Sequence, residues 1–298
     1  MSCEERADQA VRNRLGIHAL VWTGGWNAQQ CRKAVMRTAE CGYDLIEIPL
    51  LNPASVDVAM TRRVLDEIEL SATCSLGLGV DTDISSENPE VAARGERLLN
   101  EALSVARDVG AGYLGGVIFG ALHKYSQPIS VRGRNNALEV LRRLADRARA
   151  SDMVLGLEVV NRYESNMLNT AEQALEFLDD LGETGVGVHL DTYHMNIEET
   201  DFIEPVRLCG ERLCYVHVGE SHRGYLGAGT VDFEGFFGAL REIGYSGTIT
   251  FESFSSAVVD PVLSNTLAIW RDPWRDSVDL AQQARAFVLD HLRIPASA

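Results

Sequence analysis

Gly187-Val188-His189-Leu190-Asp191-Thr192-Tyr193-His194-Met195-Asn196 starts as an apolar, β-prone run and ends in an acid, an aromatic, a histidine and an amide. With Val186 in front, it reads as a buried strand that closes at Asp191. Charged side chains are rarely buried unpaired. Whether the chain supplies partners for Asp191 and His194 therefore decides what this strand is for.

Outward from it, strands and helices alternate. Toward the N-terminus, Leu15 to Trp22, Asp44 to Pro49, Ala72 to Leu78, Tyr113 to Phe119 and Val154 to Val160 read as buried strands. Helical periodicity separates them at Ala28 to Glu40, Ser55 to Leu70 (Ser55 as cap), Pro89 to Val109, Val131 to Ala150 and Thr170 to Leu181. Toward the C-terminus come a helix at Ile203 to Cys209, a strand at Leu213 to Val218, a helix at Asp232 to Ile243 and a strand at Gly247 to Glu252. A short helix within Val258 to Trp270 and a long one at Asp276 to Leu292 end the series. Eight strand–helix units without a linker predict an α/β protein with a single (β/α)8 TIM barrel over residues 14–298, preceded by a polar extension, residues 1–13. A doubly wound open sheet is the alternative, but it seldom needs eight regular units.

Composition narrows the partners. The 298 residues carry a net charge of −16. Such a surface argues against a nucleic-acid footprint and against an anionic membrane. It suits a neutral small substrate, or a cation held by carboxylates. The six cysteines are scattered with no Cys-x-x-Cys pair, which predicts reduced thiols in a cytoplasmic protein. The first residues lack the apolar core of a signal peptide, and no apolar run reaches membrane-span length.

In such a barrel, chemistry sits at the C-terminal ends of the strands. Four successive strands end near Glu158, Asp191, His217 and Glu252. Three carboxylates held together without a cation would repel one another. A carboxylate-rich set with one imidazole suits Mn²⁺, Co²⁺ or Mg²⁺ better than structural zinc. Glu47, after the second strand, reads as a solvated rim residue or an acceptor behind a ligand; His189 reads as a packed or supporting histidine. Glu164, His194 and Arg223 stand a few residues beyond the proposed ligands and suit a polyhydroxyl substrate. Arg223 would also suit a phosphate, but no glycine-rich phosphate loop opens a helix after the seventh or eighth strand, which favours an unphosphorylated sugar. His18 and Trp22 offer a polar group and an apolar wall at the end of the first strand.

At these residues the chain resembles the ketose 3-epimerases, the D-tagatose, D-psicose (allulose) and L-ribulose 3-epimerase group of the xylose isomerase-like barrels. The resemblance is carried by Gly16-Ile-His-Ala-Leu-Val-Trp22, Glu158-Val-Val-Asn-Arg-Tyr-Glu164, Asp191-Thr-Tyr-His-Met-Asn-Ile-Glu-Glu199, His217-Val-Gly-Glu-Ser-His-Arg-Gly-Tyr225 and Phe251-Glu-Ser-Phe254. It implies that Glu158, Asp191, His217 and Glu252 are the metal ligands, with Mn²⁺ as the metal. It also implies that Glu158 and Glu252 are the acid/base pair, and that Glu164, His194 and Arg223 contact the O1–O3 end of the ketose. Trp22, His18 and Cys74 would line the pocket, and the assembly would be a homodimer or homotetramer. His18 departs from the family pattern, in which an aromatic is usual there. The expected reaction inverts C3 through a cis-enediolate, one Glu removing the proton and the other returning one from the opposite face.

Three other readings stand beside this one. They are another isomerase or dehydratase on the same barrel (aldose–ketose or hydroxypyruvate type), a DNA-repair endonuclease and a non-catalytic sugar-binding barrel. The endonuclease would need more histidine ligands and a basic groove than seven His and a charge of −16 provide.

Overall fold

The computed structural model describes residues 13–50, 52–259 and 261–293. The predicted extension lies outside them apart from Asn13, whose side chain donates to the carbonyls of Tyr245 and Gly247 at 3.0 and 2.9 Å.

Eight parallel strands close into a barrel in sequence order: β1 (Leu15–His18), β2 (Leu45–Pro49), β3 (Ser71–Ser75), β4 (Tyr113–Gly116), β5 (Val154–Glu158), β6 (Val186–Asp191), β7 (Leu213–Val218) and β8 (Thr248–Phe251). The (β/α)8 architecture is the one the alternation predicts. The helices are α1 (Ala28–Glu40), α2 (Val58–Ile68), α3 (Pro89–Val109), α4 (Val131–Arg149), α5 (Ala171–Leu181), α6 (Thr192–Glu198), α7 (Glu204–Cys209), α8 (Phe233–Glu242), α9 (Pro261–Thr266) and α10 (Ser277–Leu292).

Helix boundaries follow capping chemistry. Asn27 and Thr170 each complete a capping box, with Gln30 and Gln173 reaching back to the cap. Each such cap contributes about 1 kcal/mol. Two departures from the sequence reading lie near the site-bearing loops or the caps, while several strands and helices are also shorter than read. Asp57, not Ser55, caps α2, accepting from the Met60 amide; Ser55 lies in a preceding 3₁₀ turn. Directly after Asp191 the chain forms α6, a seven-residue helix too short to show apolar periodicity.

The barrel interior is polar toward its C-terminal end and aromatic lower down. Tyr113 and Tyr215 stack at 4.1 Å between ring centroids, worth about 0.5–1.5 kcal/mol beyond area burial. Space for the Tyr113 ring comes from two glycines. A Cβ at Gly115 or Gly156 would stand 2.1 or 2.0 Å from its hydroxyl, so only glycine fits beside it. Outside the strands, the main apolar core fills the layer between barrel and helices. A smaller cluster of Leu20, Phe254, Val259 and Leu263 gathers residues of the β1–α1 and β8–α10 connections. Among the described residues, no helix is long and apolar enough to cross a membrane.

Candidate active site

Strand pleating decides which side chains enter the barrel mouth, because alternate residues point to opposite faces. Register places Asp191 opposite His217 and Glu158 opposite His189. Ligand atoms of Glu158, Asp191, His217 and Glu252 all lie within 4.8 Å of one another, and all four residues are buried. The four strand-end residues singled out in the sequence therefore come together.

The geometry fits a cation. His217 Nδ1 is buried without a hydrogen-bond partner and faces Glu158 Oε1 at 3.4 Å and Glu252 Oε1 at 3.5 Å. Its Nε2 donates to Glu47 Oε2 at 2.8 Å. Burial pushes the carboxyls of Glu158 and Glu252 above the ordinary range and that of Asp191 up to about 6. Burial opposes a charged His217, but Glu47 and Glu252 hold its pKa well above the ordinary value. Carboxyls that resist ionising together, converging on an unpartnered imidazole nitrogen, are a donor set for a divalent ion.

Asp191 divides its oxygens between fold and site. Oδ1 caps α6 through the Tyr193 amide at 2.8 Å, while Oδ2 accepts from Arg223 Nη1 at 3.2 Å. Arg223 also donates to Glu252 Oε2 at 2.7 Å, and its guanidinium lies 3.7 Å over the Tyr193 ring. Its backbone takes the left-handed conformation, with φ 59°. The Glu220 carbonyl, accepting from the Arg223 amide at 2.8 Å, and the Ser253 hydroxyl, donating to its carbonyl, hold that conformation. Glu220 itself is buried, and its carboxylate accepts from the amides of Ser221, Gly227 and Val231, which organises the glycine-rich loop carrying Arg223.

His194 sits beside the cluster as a donor. Its Nδ1 accepts from the Asn161 backbone amide at 3.2 Å, so the ring proton is on Nε2. That nitrogen lies 3.7 Å from Asp191 Oδ2 and 4.0 Å from Glu158 Oε1. Burial keeps the ring neutral, and a protonated Nε2 is not a metal ligand. Glu164 accepts from the Asn161 side chain at 3.0 Å, and burial raises its carboxyl to about 7.

A cavity of about 200 Å³ opens above the cluster, with His18, Glu158, Glu164, His194, His217, Arg223 and Glu252 on its polar side. Leu20, Leu76, Leu78, Val117 and Phe254 form much of the opposite wall. A smaller cavity of about 120 Å³ lies alongside, bounded by Tyr193, Ser221 and Trp270.

Trp22 and Cys74 correct the sequence reading: neither lines the cavity. His18 Nδ1 accepts from the Leu20 amide at 3.3 Å and turns the chain into a 3₁₀ segment, Ala19–Val21. Strand alternation stops there, so Leu20 forms wall while the Trp22 indole donates to Thr38 Oγ1 of α1 at 2.9 Å. Cys74 falls on the helix-facing side of β3. Its neighbours Thr73 and Ser75 point inward, to the Tyr215 hydroxyl at 2.8 Å and the His18 ring at 3.5 Å. Glu47 proves to be an internal acceptor rather than a rim residue, and it is fully buried. Its place follows from its register opposite His18, which only the closed barrel reveals. His189, packed as expected, has its Nδ1 3.1 Å from the Tyr113 hydroxyl.

Residues 35–284 match the xylose isomerase-like TIM barrel family. The chain is 50% identical to a ketose 3-epimerase of Arthrobacter globiformis over 94% of this chain and 96% of that protein. It is 51% identical to an L-ribulose 3-epimerase of Methylomonas sp., covering 93% of this chain and 97% of the relative. The crystal structure of a Methylomonas sp. D-allulose 3-epimerase in complex with D-allulose superimposes with a TM-score of 0.92, at 51% identity, over 94% of this chain and 97% of that one.

Proposed function

The chain belongs to the ketose 3-epimerases of the xylose isomerase-like TIM barrels, and from that premise we propose how its site inverts C3 of an unphosphorylated ketose of the L-ribulose, D-psicose or D-tagatose type. The observation that carries the proposal is the convergence of Glu158 and Glu252, from two different strands, on one buried point that His217 Nδ1 also faces.

Glu158, Asp191, His217 and Glu252 would hold the metal, with Mn²⁺ proposed from the carboxylate-rich donor set. When bound, a divalent cation supplies Lewis-acid polarisation of the C2 carbonyl, which acidifies the C3–H bond. The residues do the rest. One of the two glutamates takes the C3 proton from one face of the sugar. The other, in its acid form, gives a proton to the opposite face, so the charge on the pair is unchanged and their roles exchange in the reverse direction. Burial raises both carboxyls, which favours the acid form of whichever glutamate returns the proton. Arg223 and the Nε2–H of His194 would donate to sugar oxygens at the reacting end, and Glu164 would accept from a hydroxyl. His18 contributes a polar group to the same cavity. Two carboxylates are needed for inversion. An aldose–ketose isomerase, which returns the proton to a neighbouring carbon, works with one base and leaves the second unexplained.

Conversion of a ketopentose and ketohexose panel by Mn²⁺-loaded protein, followed by chromatography, tests the assignment. C3 epimers are the expected products. Aldoses as the sole products, or no turnover of any ketose, would overturn it. Arg223→Ala is expected to raise KM and lower kcat together, with kcat/KM down about 10–100-fold for a lost charge-assisted hydrogen bond. An unchanged kcat/KM would remove Arg223 from the site.

The proposed setting is cytoplasmic, supported by five free cysteines among the described residues, four of them buried. A homodimer or homotetramer is the proposed assembly, and exposed Trp270 and Tyr163 supply apolar surface for it.

A further inference from the structure

Behind His217 lies a carboxylate that takes no part in the proton transfers. Glu47 is fully buried on β2. Its Oε2 accepts from His217 Nε2 at 2.8 Å and from the Tyr215 hydroxyl at 2.9 Å. Tyr215 is held in turn by Thr250 Oγ1 at 2.6 Å and Thr73 Oγ1 at 2.8 Å. The barrel interior therefore fixes Glu47 independently of the cluster above it. Its Oε1 has no hydrogen-bond partner and faces His18 Nε2 at 3.7 Å. That nitrogen carries the His18 proton, because His18 Nδ1 accepts from the Leu20 amide.

An ionised carboxylate only accepts hydrogen bonds. The His217 proton toward Glu47 is consequently on Nε2. In the neutral ring that a cation requires, Nδ1 is left with its lone pair facing Glu158 and Glu252. A ring turned by 180° would put Cδ2 in place of Nδ1 at the cation site and Cε1 in place of Nε2, leaving Glu47 without its donor. The ring is further confined by His189, edge-on at 4.1 Å between centroids.

We propose that Glu47 is the positioning residue of the metal centre: it sets the His217 tautomer and ring orientation and strengthens Nδ1 as a donor to the cation. The inference rests on the reading of Glu158, Asp191, His217 and Glu252 as the metal ligands. Loss of a carboxylate in this role typically weakens metal binding by about 10–100-fold.

The test uses the full-length protein and the near-isosteric Glu47→Gln variant. Calorimetric titration of the metal-free proteins with Mn²⁺ is expected to show a Kd about 10–100-fold higher in the variant. Its metal-free melting temperature should stay close to that of the parent, and kcat at saturating Mn²⁺ should be largely recovered. Tyr215→Phe removes a different donor to Glu47 and leaves the His217 contact, so its Kd should stay within a few-fold of the parent. An unchanged Kd in Glu47→Gln, or an equal loss in Tyr215→Phe, overturns the proposal. A parent protein that binds no Mn²⁺ would instead overturn the ligand reading beneath it. If Glu47→Gln does not fold, nitrogen-15 histidine spectra of the Zn²⁺-loaded parent decide. The His217 proton is expected on Nε2, and a proton on Nδ1 contradicts the assignment.

Discussion

Glu158→Gln and Glu252→Gln are each expected to lower kcat by roughly 10²–10⁴-fold, the range for loss of a positioned acid or base, while the barrel stays folded. A glutamine neither removes a proton from carbon nor returns one, and epimerisation fails if either face is left without its acid or base. The fold should tolerate both changes. Glu158 lies beside the His217 ring and the neutral His194 ring, and Glu252 beside Arg223 and His217. A glutamine oxygen can still accept the Arg223 hydrogen bond that Glu252 accepts, and Arg223 keeps Asp191 as its ionic partner. Initial rates with product chromatography, alongside thermal melts of the metal-free proteins, make the comparison. Turnover within tenfold of the parent in either variant would refute the two-base assignment.

Removing the metal is expected to have an effect of similar size. Exhaustive chelation should abolish turnover, and Mn²⁺ should restore it. Mn²⁺ at about 100 times its Kd should stabilise the protein by about 2.7 kcal/mol. For a chain of this length that is a rise in melting temperature of about 5 °C. The sign of the pH dependence follows from the carboxyls. Asp191, pushed up to about 6 by burial, and Glu158 and Glu252, also raised, favour the metal-free fold only while protonated. Their contribution is full below the ordinary carboxylate pKa and is lost as pH rises through the raised values. Cation binding needs the ionised forms. The Mn²⁺-induced shift should therefore be larger at pH 7.5 than at pH 5.5. Activity that survives chelation, or a melting shift that shrinks with rising pH, contradicts the metal assignment.

The barrel and the convergence of four strand-end side chains were legible because each depends on a local rule applied many times. Alternation of strands and helices yields the architecture. Strand pleating then sends Glu158, Asp191, His217 and Glu252 into one mouth. What was not legible depends on departures from that rule. Trp22 was read as part of a continuing strand, but the His18 side chain captures the Leu20 amide and ends the alternation. Cys74 sits one residue out of phase with inward-facing Thr73 and Ser75. Helix α6 has seven residues and starts from the side chain of Asp191 itself, so no periodic pattern announces it. Arg223 reaches Asp191 and Glu252 from a left-handed residue in a loop organised by Glu220, a tertiary arrangement with no counterpart in spacing. Glu47 could be assigned only once the barrel closed, because its partner His217 lies 170 residues away.

The central claim is that this site removes and returns a proton at C3 of a ketose. The most direct measurement is turnover of L-ribulose or D-psicose in deuterium oxide by the Mn²⁺-loaded enzyme, with the position of label read by proton magnetic resonance. Two opposed glutamates predict deuterium at C3 of the epimeric product. Label confined to C1, or epimer formed with its original C3 hydrogen throughout, would contradict the account.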